Sequence, residues 1–191
     1  MSTSAIPHAP IAMAGPLTRG DFLAQLYWFA DTFALPEPRG IAGLSRLTRI
    51  ALIAGVETGV VREIQPFFAF HRTPAGGVAS ADVWRELLAL RAYQVLATED
   101  ALEPMPEEET GERKFLLENH VPAPERRDYP MPTRFERDIL TNKGTFFAAK
   151  REDQTVERRV EILKSIPALV ELPLAELTAR AIPLLGEVGA R

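Results

Sequence analysis

Residues 47–64 read LTRIALIAGVETGVVREI. Apolar side chains recur here at helical spacing around one glycine, Gly55. A helix-turn-helix needs a small residue where its helices cross, a turn residue tolerant of positive φ four positions later, and apolar groups that hold the second helix against the first. Ala51 is the small residue, Gly55 takes the turn and Val56 seals it. Ile50 and Ala54 face inward from the first helix, Val61 and Ile64 from the second. Glu57, Thr58, Gly59, Arg62 and Glu63 are left facing outward. The expectation is a chain that reverses at Gly55.

Helical signals continue on both sides. Upstream, Thr18 can cap a helix with Asp21 in its first turn, and Phe22, Leu26, Phe29, Ala30 and Phe33 repeat at helical intervals until Pro36 and Pro38 stop it. Before it, Pro7, Pro10 and Pro16 make residues 1–17 an extended tail. Downstream, Pro66 ends the central zone, and FFAFHRTPAGG (residues 67–77) reads as a short extended piece and loop. Ser80 caps a third helix expected to run to Ala97. Residues 103–132 combine six prolines with a glutamate run, around one compact helix at about 111–120, and read as an acidic linker or wrapping arm. Helical pattern resumes at 133–150, at 154–166 and after Pro173. The fold class is therefore mainly α: a helix-turn-helix-containing helical domain at 18–100 with at most a small two-stranded wing, the arm over 101–132, and C-terminal helices over 133–191.

Composition narrows the function classes. The net charge of −4 offers no general attraction to phosphate. Between Arg39 and Arg72, however, Arg39, Arg46, Arg49, Arg62 and Arg72 outnumber Glu57 and Glu63, so contact with a polyanion belongs there. The absence of cysteine excludes disulfides and thiolate chemistry. No apolar stretch approaches the roughly 20 residues of a membrane span, and Arg19 is the first basic residue, so a cytoplasmic protein without membrane partners is expected. No phosphate loop, G-x-G-x-x-G, G-x-S-x-G or H-E-x-x-H motif occurs. His8, His71 and His120 stand far apart in sequence and read as surface or partner-contact residues rather than ligands. Glu107, Glu108 and Glu109 read as a solubilising run. Nothing nominates a catalyst, a metal or a cofactor.

The stretch LTRIALIAGVETGVVREI resembles the helix-turn-helix of bacterial regulators of the LacI and MerR types, whose shared pattern is A-x-x-x-G-V followed by a valine or isoleucine and a nearby arginine. The continuation favours the MerR type: Arg72 to Gly77 stands where a wing would, and Asp82-Val-Trp-Arg-Glu-Leu-Leu where the following helix opens. The resemblance covers residues 46–96. The wing's arginine and tyrosine are replaced, with Val78 and Ala79 in their region, and Phe67 and Phe68 stand where that family has a charged turn.

The resemblance implies a dimeric DNA-binding regulator. Arg46, Arg49 and Arg72 would neutralise phosphates of double-stranded DNA, and Thr58 and Arg62 would reach base edges. The alternative is a non-catalytic assembly or accessory subunit that binds a protein partner through its aromatic residues Tyr27, Trp28, Phe67 and Phe68 and through its proline-rich arms.

Overall fold

The computed structural model describes residues 16–33, 40–101, 103–152 and 157–188. Most of the expected N-terminal tail, with His8, lies outside them. Helix α1 (Arg19–Thr32) begins as its sequence demands: the Thr18 hydroxyl accepts from the Asp21 amide, and the Asp21 carboxylate accepts from the Thr18 amide, closing a capping box. Phe22, Leu23, Ala24, Leu26, Tyr27, Phe29 and Ala30 are all buried, so α1 is covered around most of its circumference rather than along one stripe. Each large side chain among them contributes about 1.5–3 kcal/mol by leaving water.

Strand β1 (Ile41–Ala42) leads into helix α2 (Leu44–Glu57). Here the central expectation fails. Helix α2 runs unbroken through Gly55, and the segment after it is a single 3-10 turn, Val60–Arg62, not a second helix. A glycine inside a helix costs only about 1 kcal/mol. At Gly55 the vacant side-chain space is filled by the Phe67 ring, whose Cζ lies 2.5 Å from where a Cβ would stand. The left-handed residue that turns the chain is Gly59, at φ 76°.

A hairpin of β2 (His71–Arg72) and β3 (Val78–Ala79) follows, where the small wing was expected. Helix α3 (Ala81–Ala92), capped by Ser80, ends five residues earlier than its pattern suggested. Gln94 adopts φ 59°, the Val95 amide reaches back to the Leu90 carbonyl, and the chain leaves as strand β4 (Leu96–Asp100). This is a Schellman ending with glutamine in the left-handed position that glycine normally marks. After helix α4 (Glu107–Asn119) and a 3-10 stretch (Ala123–Asp128), strand β5 (Glu136–Leu140) occupies sequence expected to be helical. β5 is the centre of an antiparallel sheet in the order β1-β5-β4, with Thr98 opposite Asp138 and Ile41 on its other side.

The chain closes with α5 (Asn142–Glu152), α6 (Glu157–Leu163), α7 (Ile166–Glu171), α8 (Leu174–Ala181) and a final 3-10 turn. The fold is mainly helical, with two small sheets. Leu163, Ile166, Leu169, Leu177 and Ala181 belong to the same apolar cluster as α1 and α2, so the C-terminal helices share the central core. Among the described residues, no helix is long and apolar enough to cross a membrane.

Candidate functional site

The arginines expected to meet phosphate divide into two groups. Arg49 lies on the buried side of α2, 1% exposed, with its guanidinium paired to both Glu112 carboxylate oxygens at 2.6 and 3.0 Å. It also donates to the Ser45 carbonyl and to the Thr178 hydroxyl. Arg46 donates to the carbonyls of Val170 and Leu172, and burial lowers its pKa. Neither faces a ligand: α2 carries these residues on the side where α4, α7 and α8 pack. Thr58 is half-buried, its hydroxyl donating back to the Ala54 carbonyl at the end of α2. Arg62 and Arg72 are exposed and, among the described residues, pair with no acid. Arg62 closes the 3-10 turn after α2, and Arg72 lies on strand β2 of the hairpin.

The aromatic set is also redistributed. Tyr27, Phe67 and Phe68, expected at a partner surface, are 0%, 8% and 2% exposed. Phe67 and Phe68 pack edge-on at 4.9 Å and reach Phe22 of α1, so the hydrophobic run closes the core over Gly55. Trp28 is half-buried against Phe29 and Phe33. Among the described residues the aromatic side chain standing furthest into water is Tyr93, 70% exposed at the end of α3, ahead of Phe146 at 65%. It borders a groove of about 870 Å³ lined in part by Leu17, Glu86, Val95 and Phe147.

What the sequence reading missed is a buried ionic clasp. Glu109 and Glu112 of the glutamate run are 1% and 5% exposed, whereas Glu107 and Glu108 are exposed. The Glu109 carboxylate accepts from the Leu44 and Ser45 amides at 2.8 Å each, and from Arg113 at 2.7 Å. Helix α2 has glycine at its N-cap and no capping side chain of its own, so a carboxylate 65 residues away satisfies its first amides and complements its dipole. Gly43, at φ 77°, leaves no room for a Cβ between Phe135 and that carboxylate. Arg113 in turn lies over the Trp84 ring at 4.9 Å. The sequence signal was present: Glu109, Glu112, Arg113 and Leu116 share one face of α4 at i, i+3, i+4 and i+7.

A second ionic group ties α3 to the sheet. Arg91 donates to both oxygens of Asp138 at 2.7 and 2.8 Å and to Glu136 at 2.9 Å, and Thr98 donates to Asp138. Among the described residues no three potential metal-ligating side chains cluster.

His71 of the hairpin and His120 at the end of α4 lie face to face, with centroids 3.6 Å apart and planes at 17°. Burial lowers both pKa values, and for His71 the neighbouring His120 adds to the effect while Asp82 opposes it. The folded chain therefore holds both rings neutral, and the unfolded chain takes up protons first as pH falls through about 6.5. Their contribution is complete above that value and is lost as pH descends toward the folded pKa values. Thermal unfolding should show a lower midpoint at pH 5.5 than at pH 7.5, with the gap narrowed in His120→Phe, which keeps the stack but removes one titrating ring. An unchanged gap would exclude the pair as its source.

No family model matches this chain, and no curated protein or solved structure does.

Proposed function

We propose that the chain is a non-catalytic protein-binding subunit built on a winged-helix-like frame that does not read DNA. Apart from the β2–β3 hairpin between α2 and α3 and from α4 and the 3-10 stretch between β4 and β5, the order α1, β1, α2, α3, β4, β5 supports that frame: two helices followed by two antiparallel strands, the second of which also pairs with the strand before the helices. On this reading the helix pair is α2 and α3, separated by residues 58–80, and not the two halves of 47–64.

The observation that carries the reading is the charge of the surfaces such a frame would set on a duplex. Strands β4 and β5 expose Glu99 and Asp100, with Glu136 half-buried and Asp138 buried, against the single Arg137. On α3, Arg91 is committed to Asp138 and Glu136, and Arg85 lies beside Asp82 at 3.1 Å. Duplex binding rests on releasing counterions from phosphates with available cations, and these surfaces offer little net positive charge. Exposed Tyr93 beside a partly apolar groove is the kind of feature that anchors protein contacts.

The test is fluorescence anisotropy with mixed-sequence duplex DNA at about 50 mM salt, where phosphate contacts are strongest. The expected result is no saturable binding by the full chain, together with stoichiometric recovery of one protein when it is purified from its native cell. Saturable, salt-sensitive binding that disappears in Arg62→Ala/Arg72→Ala would overturn the proposal in favour of a DNA-binding regulator.

A further inference from the structure

Among the described residues, strand β4 is paired on one side only. The Ala101 amide donates to the Phe135 carbonyl at 2.9 Å and the Thr141 amide to the Val95 carbonyl at 3.1 Å, bracketing the ladder with β5. In an antiparallel pair the residues that exchange these bonds alternate with residues whose polar groups point the other way. With Ala97 opposite Ile139 and Glu99 opposite Arg137, the groups of Val95, Ala97, Glu99 and Ala101 face β5. Those of Leu96, Thr98 and Asp100 face outward, and among the described residues nothing bonds to them. Ala97, Thr98, Glu99 and Asp100 are all exposed.

Natural sheets protect such an edge with short length, proline, charged side chains, a bulge or a covering segment. The β4 sequence LATED has no proline or lysine, and the ladder runs without a bulge from Leu96 to Asp100. Its two acids sit at one end, and each is held by a neighbour on its own chain: Glu99 by Arg137 at 3.2 Å and Asp100 by Arg134 at 2.8 Å. The edge therefore does not call for a basic partner.

We infer that β4 pairs antiparallel with β4 of a second copy, about a two-fold axis at Thr98, making one continuous sheet across the dimer. The register follows from the strand itself. Centred on Thr98, the outward amides and carbonyls of exposed Thr98 and Asp100 find partners, those of Asp100 on the edge of Leu96, which is itself 4% exposed. Thr98 faces Thr98 of the second copy, Leu96 faces Asp100, and Ala97 faces Glu99, so no two like charges are directly opposite. Centring on Glu99 would set glutamate against glutamate, and centring on Ala97 would leave Asp100 unpaired. A two-fold contact of this kind closes on itself and needs no second surface. A five-residue strand pair is smaller than a standard interface, so a weak, concentration-dependent dimer is expected. The pairing concerns a second copy of this chain and does not depend on the partner-binding reading above.

Sedimentation equilibrium of the full chain between about 20 and 500 µM tests it. The expected result is a monomer–dimer equilibrium in the wild type. Thr98→Pro should weaken it at least tenfold while the chain stays folded: the Thr98 amide makes no bond to β5, proline is tolerated where the amide faces solvent, and although the hydroxyl's bond to Asp138 is lost, Arg91 still holds both oxygens of that carboxylate. Two exposed substitutions read the register by charge sign. Ala97→Glu, opposite Glu99 of the second copy, should weaken association, and Ala97→Lys should strengthen it, with circular dichroism unchanged in both. A wild type monomeric to 500 µM, a dimer indifferent to these variants, or equal effects of both Ala97 substitutions would each overturn the inference. So would an edge taken up by a strand of a different protein while self-association is absent.

Discussion

Glu109→Gln should lower the thermal midpoint by about 6–20 °C. The estimate combines about 3–5 kcal/mol for breaking a buried charged pair with about 2–4 °C per kcal/mol for a chain of this size. The reason lies in acceptor count. Both Glu109 oxygens are occupied, one by the Leu44 amide and Arg113, the other by the Ser45 amide. Glutamine has one acceptor, so a buried donor must face its NH2 group, and Arg113, 3% exposed, loses its counter-charge. Glu107→Gln and Glu108→Gln, two residues and one residue away but exposed, should change stability by no more than about 0.5 kcal/mol. Equal effects at all three positions, measured by differential scanning calorimetry, would return the run to the role of a solubilising segment.

Arg49→Met is the second large effect, also about 3–5 kcal/mol, because it leaves Glu112 charged and unpaired beneath the hairpin. Glu112 would keep only the Ser45 hydroxyl as a hydrogen-bond donor, and at 5% exposure water reaches its carboxylate poorly. The double variant Arg49→Met/Glu112→Met should lose less than Arg49→Met alone, since removing both charges removes the isolated one. A phosphate-binding arginine behaves oppositely: its loss leaves the thermal midpoint alone and changes only binding. Chemical unfolding of the two variants therefore separates a structural Arg49 from one that contacts a ligand. Additive losses would show that Arg49 and Glu112 are not coupled.

These two pairs explain why Arg49 and Glu109, read as surface residues in the sequence, are buried in the fold. A local excess of arginine looks the same in one dimension whether it faces a polyanion or faces carboxylates contributed from elsewhere in the chain. Glu112 lies 63 residues from Arg49, and Glu109 lies 65 from Leu44. No local pattern connects them. The reading at Gly55 failed for a related reason. A glycine tolerant of positive φ is also a glycine that admits a neighbouring ring, and Phe67 is brought there only by the return of the chain.

Strand β5 was obscured in another way. Its buried Asp138 and half-buried Glu136 break the alternation that marks a strand, and they are tolerated there because Arg91 meets both. The end of α3 was hidden because Gln94 holds a left-handed turn without the glycine that normally announces one.

Where the deciding interactions are short-range, residue order was sufficient. The Thr18–Asp21 capping box, the Ser80 cap, the compact helix before His120, the hairpin near Gly76 and the mainly helical class all follow from neighbours within a few positions, because caps, turns and amphipathic spacing are satisfied locally. Which arginines remain in water, which glutamates are buried, where α2 turns and which strand edge is left unpaired were decided only when distant segments met. Those outcomes depend on desolvation and on pairing between charges that share no local neighbourhood, and chain folding alone brings them together.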